Sequence, residues 1–238
     1  MGSILHLDVQ PALIDQVHDL LLDAIADGTL EPGQRLTQES VAVMLGVSRQ
    51  PVSHALQILK RRGLLIEHGK RGLQVAPLNA SRIRDLYLVR EALDGLAARL
   101  AAQRVRSGDA RQAEKDAAEA ALVHGQKLGA RTALSRLIAA DVAFHSAVYV
   151  LSGNQAIGET VADQWPHFRR SMGLVLSVSD ALARYWREHA GILEAILAGD
   201  ARTAEQRARQ HIAVAGDETA SRLEEDHVAQ LQSQGEAR

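Results

Sequence analysis

Near the N-terminus, apolar residues recur every three or four positions in three successive stretches, which predicts three amphipathic helices. These stretches are 11–27, 38–45 and 49–62. After Gly63 the spacing shortens, and Leu64–Glu67 and Leu73–Val75 predict two short strands joined by a glycine-containing loop. Helices followed by such a hairpin are the pattern of a winged helix-turn-helix.

From about Ser81 onward the chain keeps a helical period, and glycine-containing breaks divide it. The pattern predicts six helices near 81–105, 108–128, 130–151, 155–176, 179–198 and 201–224. The alternating pattern stops at Pro77–Ala80, which indicates a domain boundary between residues 1–77 and 78–238. Residues 1–10 read as a leader. The fold class is therefore mainly α, with an N-terminal winged helix-turn-helix and an all-α C-terminal unit.

The predicted helix over 49–62 has two different faces. Val52, Ala55, Leu56 and Leu59 share one face at helical spacing, which makes it the core face. The opposite face carries side chains that can reach base edges, with Arg49 suited to guanine or phosphate and Gln50 to adenine. The candidate DNA-binding residues are Arg35, Thr37, Ser48, Arg49, Gln50, Ser53, His54, Lys70, Arg71 and Gly72.

A winged helix can also bind protein, in which case these charges are only solvated. The charge distribution favours DNA, because basic residues lie in the second motif helix and the hairpin. The first helix instead carries Asp15, Asp19, Asp23 and Asp27. That asymmetry indicates a surface oriented toward a polyanion.

Three segments of this region resemble the GntR family of bacterial transcription regulators. They are PGQRL at Pro32–Leu36, LGVSRQPV at Leu45–Val52 and GKRGLQV at Gly69–Val75. The resemblance implies a double-stranded operator as partner. The sequence departs from the family pattern at Ser53 and Glu39, where arginine is common.

Composition narrows the class of protein. The 238 residues contain no cysteine, which excludes disulfides and thiolate metal sites. No uninterrupted apolar run approaches the roughly 18 residues that span a membrane, and no basic-then-apolar signal segment begins the chain. We therefore expect a cytoplasmic protein with no membrane partner. The net charge of −2 gives no sign of nucleic acid, so that expectation rests on local clustering.

Polar residues interrupt several apolar stripes of the C-terminal helices. Asp141 and His145 lie four positions apart on one stripe, so they project from one face of the helix. His189 and His211 interrupt the stripes of two later helices. Three imidazoles and one carboxylate around a divalent ion would resolve the cost of burying them. The alternative is that each is a hydrogen-bonded core residue.

Arg90 interrupts the stripe of the first C-terminal helix, between Leu86 and Leu93. A buried arginine needs an anion, which is either an internal carboxylate or a ligand's. The pattern alone leaves a structural salt bridge and a ligand clamp open.

A second resemblance covers Asp85–Ala102, Asp141–Asn154 and Glu188–Ile212, which are similar to the FCD effector domain of FadR-like GntR regulators. It implies an antiparallel helical bundle with a buried pocket. Carried over by motif, it assigns Asp141, His145, His189 and His211 to a divalent metal. It assigns Arg90 to an effector carboxylate.

Together these features predict a homodimeric transcription regulator, a repressor by preference, controlled by a small carboxylate at the metal. Zinc is the first choice of metal, and nickel, manganese and iron also accept this ligand set. Two alternatives stay open. The His/Asp site can belong to a metalloenzyme with hydrolytic chemistry, or the metal and Arg90 can serve only as structural staples.

Overall fold

The structure is a computed structural model that describes residues 11–69, 72–129, 131–176 and 179–236, with the side chains of 11–12, 179–180 and 227–236 excepted. The chain divides into two compact units, Met1–Pro77 and Leu78–Arg238. Each unit has its own hydrophobic core. They are described separately below.

The N-terminal unit is a winged helix-turn-helix. Its elements in order are α1 (Pro11–Ala26), β1 (Arg35–Leu36), α2 (Gln38–Leu45), α3 (Arg49–Arg61), β2 (Leu65–His68) and β3 (Gly72–Val75). The sheet is antiparallel with the order β1-β3-β2, so β3 lies in the middle. The strand β1 adds to the predicted hairpin, because Arg35 and Leu36 pair with Gln74 and Leu73.

The core of this unit follows the predicted stripes. Val52, Leu56 and Leu59 of α3 are at most 1% exposed, and they pack with apolar residues of α1 and of the sheet. Thr37 caps α2, since its hydroxyl accepts a hydrogen bond from the backbone N–H of Ser40. These contacts fix the orientation of α3, whose other face is exposed.

The C-terminal unit is an antiparallel all-α bundle. Its helices are α4 (Ala80–Ser107), α5 (Gln112–Gln126), α6 (Leu134–Ser152), α7 (Gln155–Ala162), α8 (Trp165–Leu176), α9 (Ser179–Leu197) and α10 (Ala201–Glu236). The most extensive helix–helix contact is the one between α4 and α10. The helices α6 and α9 also pack against α4. This arrangement directs one face each of α4, α6, α9 and α10 toward a common interior.

Two predicted helices have different bounds. The single helix predicted over 155–176 is wrong, because the chain breaks between Ala162 and Trp165. Pro166 lies in the first turn of α8, where its missing N–H is tolerated. In the interior of one continuous helix the same proline would remove a backbone hydrogen bond. The last helix continues to Glu236, so the predicted end near 224 is also wrong.

Among the described residues, α6 is long and apolar enough in composition to cross a membrane. No uninterrupted apolar run marks this helix in the sequence, because polar residues such as Ser135, Arg136 and Asp141 divide it. Half of this stretch is buried inside the unit, where it packs against α4, α5 and α8. It also carries the buried Asp141 and His145. These observations identify α6 as a core helix.

Close packing between α5 and α9 depends on a glycine. A Cβ built on Gly125 would overlap the ring of Trp186. Trp186 is 6% exposed and also packs edge-on against His189 at a centroid distance of 4.9 Å. The small residue on α5 therefore helps to hold an aromatic wall beside the buried histidines.

Candidate metal centre and nucleic-acid interface

The exposed face of α3 presents the predicted base-reading side chains. Arg49, Gln50 and His54 are exposed, and Ser53 is half-buried. The Ser53 hydroxyl accepts a hydrogen bond of 3.1 Å from Nε2 of Gln38 on α2. Ser53 is thus already engaged by α2, while the other three side chains project from the surface.

Arg49 forms an ion pair with Glu39, with Nη2 and Oε1 2.9 Å apart. Both side chains are largely exposed, at 66% and 70%, so the pair contributes little to stability. A carboxylate in this position also repels phosphate. Glu39 therefore holds the Arg49 guanidinium, and its negative charge would oppose a phosphate placed beside it.

The other candidate DNA contacts lie around the edges of α3. Arg35 is exposed on β1, and Ser48 begins α3 without a side-chain capping bond. Gly72 starts β3, where a Cβ would lie 3.0 Å from the His68 carbonyl oxygen. Lys70 and Arg71 lie outside the described residues.

In the C-terminal unit, three helices bring three imidazoles together. His145 comes from α6, His189 from α9 and His211 from α10, and each is at most 5% exposed. One nitrogen from each ring lies within 4.8 Å of the others. The imidazole rings from α6, α9 and α10 therefore converge, as the places of these histidines on the apolar stripes predicted.

Asp141 completes the cluster, because its carboxylate oxygens lie 3.7 Å from Nε2 of His145 and 3.6 Å from Nε2 of His189. The Nε2 atoms of His189 and His211 are 3.0 Å apart. Two nitrogens bound to one tetrahedral zinc at about 2.0–2.1 Å stand about 3.3 Å apart, close to this separation. The donor set and its spacing therefore fit a divalent ion.

Two of the histidines are oriented by carboxylates outside the cluster. Nδ1 of His145 lies 2.7 Å from Asp94, and Nδ1 of His211 lies 2.7 Å from Glu188. An Nδ1–H donated to a carboxylate leaves the lone pair on Nε2, facing inward. Paired carboxylates of this kind are typical behind histidines that bind metals.

Burial favours the neutral form of His145 and His189 by lowering the pKa of each. It lowers the pKa of His189 well below its ordinary value, and the neighbouring His211, His145 and Arg90 lower it further. Burial and the charge of Arg90 likewise lower the pKa of His145. Neutral imidazole is the form that binds a metal.

Arg90 lies beside the cluster and is 3% exposed. Its Nε is 3.6 Å from Asp94 and its Nη2 is 4.0 Å from Asp141. The guanidinium lies 4.6 Å from the centre of the Trp165 ring. Nε and Nη2 have no hydrogen-bond partner among the described residues. Arg90 therefore belongs to a buried charge network and still has unused donors.

A cavity of about 30 Å³ lies between these groups. Its walls come from α4, α6, α8, α9 and α10, and they are Tyr87, Arg90, Asp141, His145, Met172, Val175, Leu176, Tyr185, His211, Ile212, Ala215 and Thr219. A volume of this size holds one or two water molecules. A larger ligand must displace part of the wall.

Two acidic residues that shape the site, Asp94 and Glu188, were not predicted from the sequence. Asp94 accepts hydrogen bonds from His145 and from the Tyr149 hydroxyl, at 2.7 and 2.8 Å. Its signal was the i,i+4 spacing from Arg90 on the same helix. Glu188 adjoins His189 in sequence, but only the fold places it behind His211.

Each of the two units matches a known protein family. The family described as "Bacterial regulatory proteins, gntR family" matches residues 13–75, and the FCD domain matches residues 85–214. An HTH-type transcriptional regulator from an unstable DNA locus of Streptomyces ambofaciens is 29% identical over 79% of this chain and 77% of its own. The HTH-type transcriptional repressor RspR of Escherichia coli K12 is 24% identical over 83% of this chain and 84% of its own.

Solved structures show the same fold. Escherichia coli McbR/YncC superposes with a TM-score of 0.72 at 20% identity, covering 95% of this chain and all of that one. A GntR regulator from Rhodococcus sp. RHA1 gives a TM-score of 0.67 at 25% identity, covering 88% and 98%. The chain therefore belongs to the GntR family, as a DNA-binding transcription regulator with an FCD domain.

Proposed function

We propose that this regulator is a repressor that binds its operator as a homodimer and is controlled by a small carboxylate held at a metal in the C-terminal unit. The observation that carries the proposal is the buried cluster of three imidazoles, with Asp141 3.6–3.7 Å from two of them, beside the unused donors of Arg90. Residues 1–77 would bind DNA, and residues 78–238 would bind the effector and the second subunit. Operator DNA places the protein in the cytoplasm.

The metal would be held by Asp141, His145, His189 and His211. Zinc is our first choice because it favours neutral imidazoles with a carboxylate, and nickel, manganese and iron accept the same donors. A bound divalent ion supplies a Lewis acid for a carboxylate and an adjacent oxygen. The surrounding carboxylates Asp94 and Glu188 hold two of the rings in place.

Arg90 would receive the effector's carboxylate. Its Nε and Nη2 lack hydrogen-bond partners among the described residues, and they border the same cavity as His145 and His211. A carboxylate there would accept charge-assisted hydrogen bonds from a guanidinium that is already desolvated. Control of transcription then requires that the ligand bind the DNA-competent and DNA-incompetent states with different affinities.

The homodimer is supported by exposed apolar residues on α4. Leu88 is 64% exposed and Val89 is 55% exposed, side by side on the helix that opens the C-terminal unit. A two-fold interface there would cover them and present two winged helices to a pseudo-palindromic site.

The dimer is tested by Leu88→Glu, followed by sedimentation of the purified protein. We expect the dimer dissociation constant to rise by about tenfold or more. Val123→Glu is the matched control, since Val123 is also an exposed apolar residue (45%), on α5. A Leu88→Glu protein that dimerises like the parent would place the interface elsewhere.

The metal is tested by elemental analysis and zinc titration. The parent should hold about one divalent ion per chain, and His189→Ala should lose it. His124→Ala is the matched control, because His124 is exposed on α5. Absence of stoichiometric metal in protein loaded with zinc would exclude a metal-dependent effector site.

A further inference from the structure

The polar groups of the cavity that lack partners lie together at one end. Among the described residues, Nε and Nη2 of Arg90 and Nε2 of His145 are buried and without a hydrogen bond. His145 Nε2 faces Asp141, and Arg90 borders the same carboxylate at 4.0 Å. A divalent ion would take the lone pair of His145 Nε2, and the carboxylate of a ligand would then accept hydrogen bonds from the two unpaired nitrogens of Arg90.

The remaining wall is mostly apolar. Met172, Val175 and Leu176 of α8 are each at most 6% exposed, and Ile212 of α10 is 1% exposed. Ala215 completes this side of the cavity. Methionine changes rotamer easily, so Met172 can make room for an added apolar group. This side offers a ligand dispersion contacts but no charge.

The hydroxyls that border the cavity already form hydrogen bonds within the protein. The Thr219 hydroxyl donates to the Ala215 carbonyl at 2.6 Å. The Tyr185 hydroxyl donates at 2.6 Å to Glu218, outside the cavity. Tyr87 interacts through its hydroxyl with Thr219 and Ser171. The several hydroxyls of a sugar acid would therefore meet few free donors here, and buried hydroxyls without partners weaken binding.

We propose that the effector is a monocarboxylic 2-hydroxy or 2-oxo acid with a short branched aliphatic tail. The carboxylate and the adjacent oxygen would occupy the end with Arg90 and the metal ligands, and the tail would pack on Met172, Val175 and Leu176. This inference rests on the proposed effector site. It excludes sugar acids and tricarboxylates as the preferred class, because their distal polar groups would be buried on the apolar wall.

The test compares four acids by calorimetric titration of the zinc-loaded full chain. Racemic 2-hydroxy-4-methylpentanoate has both the 2-hydroxy carboxylate head and the branched aliphatic tail, and lactate has only the head. Gluconate joins the same head to a polyhydroxylated tail. The fourth acid, 4-methylpentanoate, has the aliphatic tail and a carboxylate but lacks the 2-oxygen. Each buried methylene contributes about fourfold, so the first acid should bind at least about tenfold more tightly than lactate. It should also bind more tightly than gluconate and 4-methylpentanoate.

A substitution in the apolar wall of the cavity tests where the aliphatic tail of the ligand binds. Val175→Thr keeps the side-chain shape but adds a hydroxyl to the apolar wall, so it should weaken 2-hydroxy-4-methylpentanoate about fivefold or more and leave lactate unchanged. Val161→Thr is the control, because Val161 is 1% exposed on α7 and does not line the cavity. Thermal melts check that both variants fold.

The outcomes separate the two proposals. If gluconate binds as tightly as the branched acid, or if Val175→Thr weakens lactate equally, the apolar-tail inference is overturned and the carboxylate site stands. If the zinc-loaded protein binds none of the 2-hydroxy acids, the proposed effector site itself fails.

Discussion

Replacing Asp94 by asparagine removes one charge from the buried network of the C-terminal unit. Asp94 is 4% exposed, lies 3.6 Å from Nε of Arg90, and accepts hydrogen bonds from His145 and Tyr149. Burial alone would raise the pKa of this carboxyl, but Arg90 and His145 hold it below its ordinary value. The carboxylate is therefore ionised, and Asp94→Asn leaves Arg90 with only the more distant Asp141.

The expected cost follows from that geometry. Removing one partner of a buried ion pair costs about 3–5 kcal/mol, because the remaining charge stays desolvated. A domain of 150–250 residues loses about 2–4 °C in Tm for each kcal/mol, which gives a fall of about 6–20 °C. Loss of the carboxylate behind His145 should also weaken zinc binding about 10–100-fold.

Scanning calorimetry of metal-free protein measures the first effect, and zinc titration in competition with a chelator measures the second. Glu224→Gln is the control, since Glu224 also pairs with an arginine between α4 and α10 but is 54% exposed. We expect no resolvable change there. The double variant Arg90→Gln/Asp94→Asn removes both charges and should be less destabilised than Asp94→Asn alone.

An Asp94→Asn protein with the Tm and zinc affinity of the parent would refute this reasoning. A double variant that is less stable than either single variant would also contradict it. In that case the two residues would contribute separately, and Arg90 would be balanced mainly by Asp141.

Three further predictions concern the surface of α2 and α3 and the α5–α9 contact. Arg49→Ala should weaken binding to the selected operator by about 1–3 kcal/mol but leave random DNA less affected, as measured by fluorescence anisotropy. Glu39→Gln should strengthen binding to both DNAs at low salt, because it removes a negative charge 2.9 Å from Arg49; unchanged affinity would show that Glu39 does not face the phosphates. Gly125→Ala should lower stability by about 1–3 kcal/mol, because the new Cβ would meet the Trp186 ring; chemical denaturation measures this, and a neutral result would mean that the ring moves freely.

Much of the site follows from periodicity. Asp141, His145, His189 and His211 each interrupt an apolar stripe, and a polar residue on such a stripe must be buried among partners. These residues lie on three stripes, and the stripes already predicted a shared interior; the resemblance to the FCD bundle implied the same four ligands.

The parts that the sequence did not predict depend on contacts between distant segments. Glu188 lies behind His211 because α9 and α10 pack side by side, and no local pattern encodes that pairing. The break before α8 was missed because residues 155–176 stay apolar at helical spacing. Pro166 was the signal, since proline is favoured in the first turn of a new helix.

The four candidate ligands lie on α6, α9 and α10, far apart along the chain. A metal bound to them would act as a removable cross-link, whose binding energy adds to the energy of folding. Without it these helices would separate more often, and proteases cut such opened forms. A cell short of the metal would then degrade the regulator, so the amount of regulator, and not only its liganded fraction, would follow metal supply.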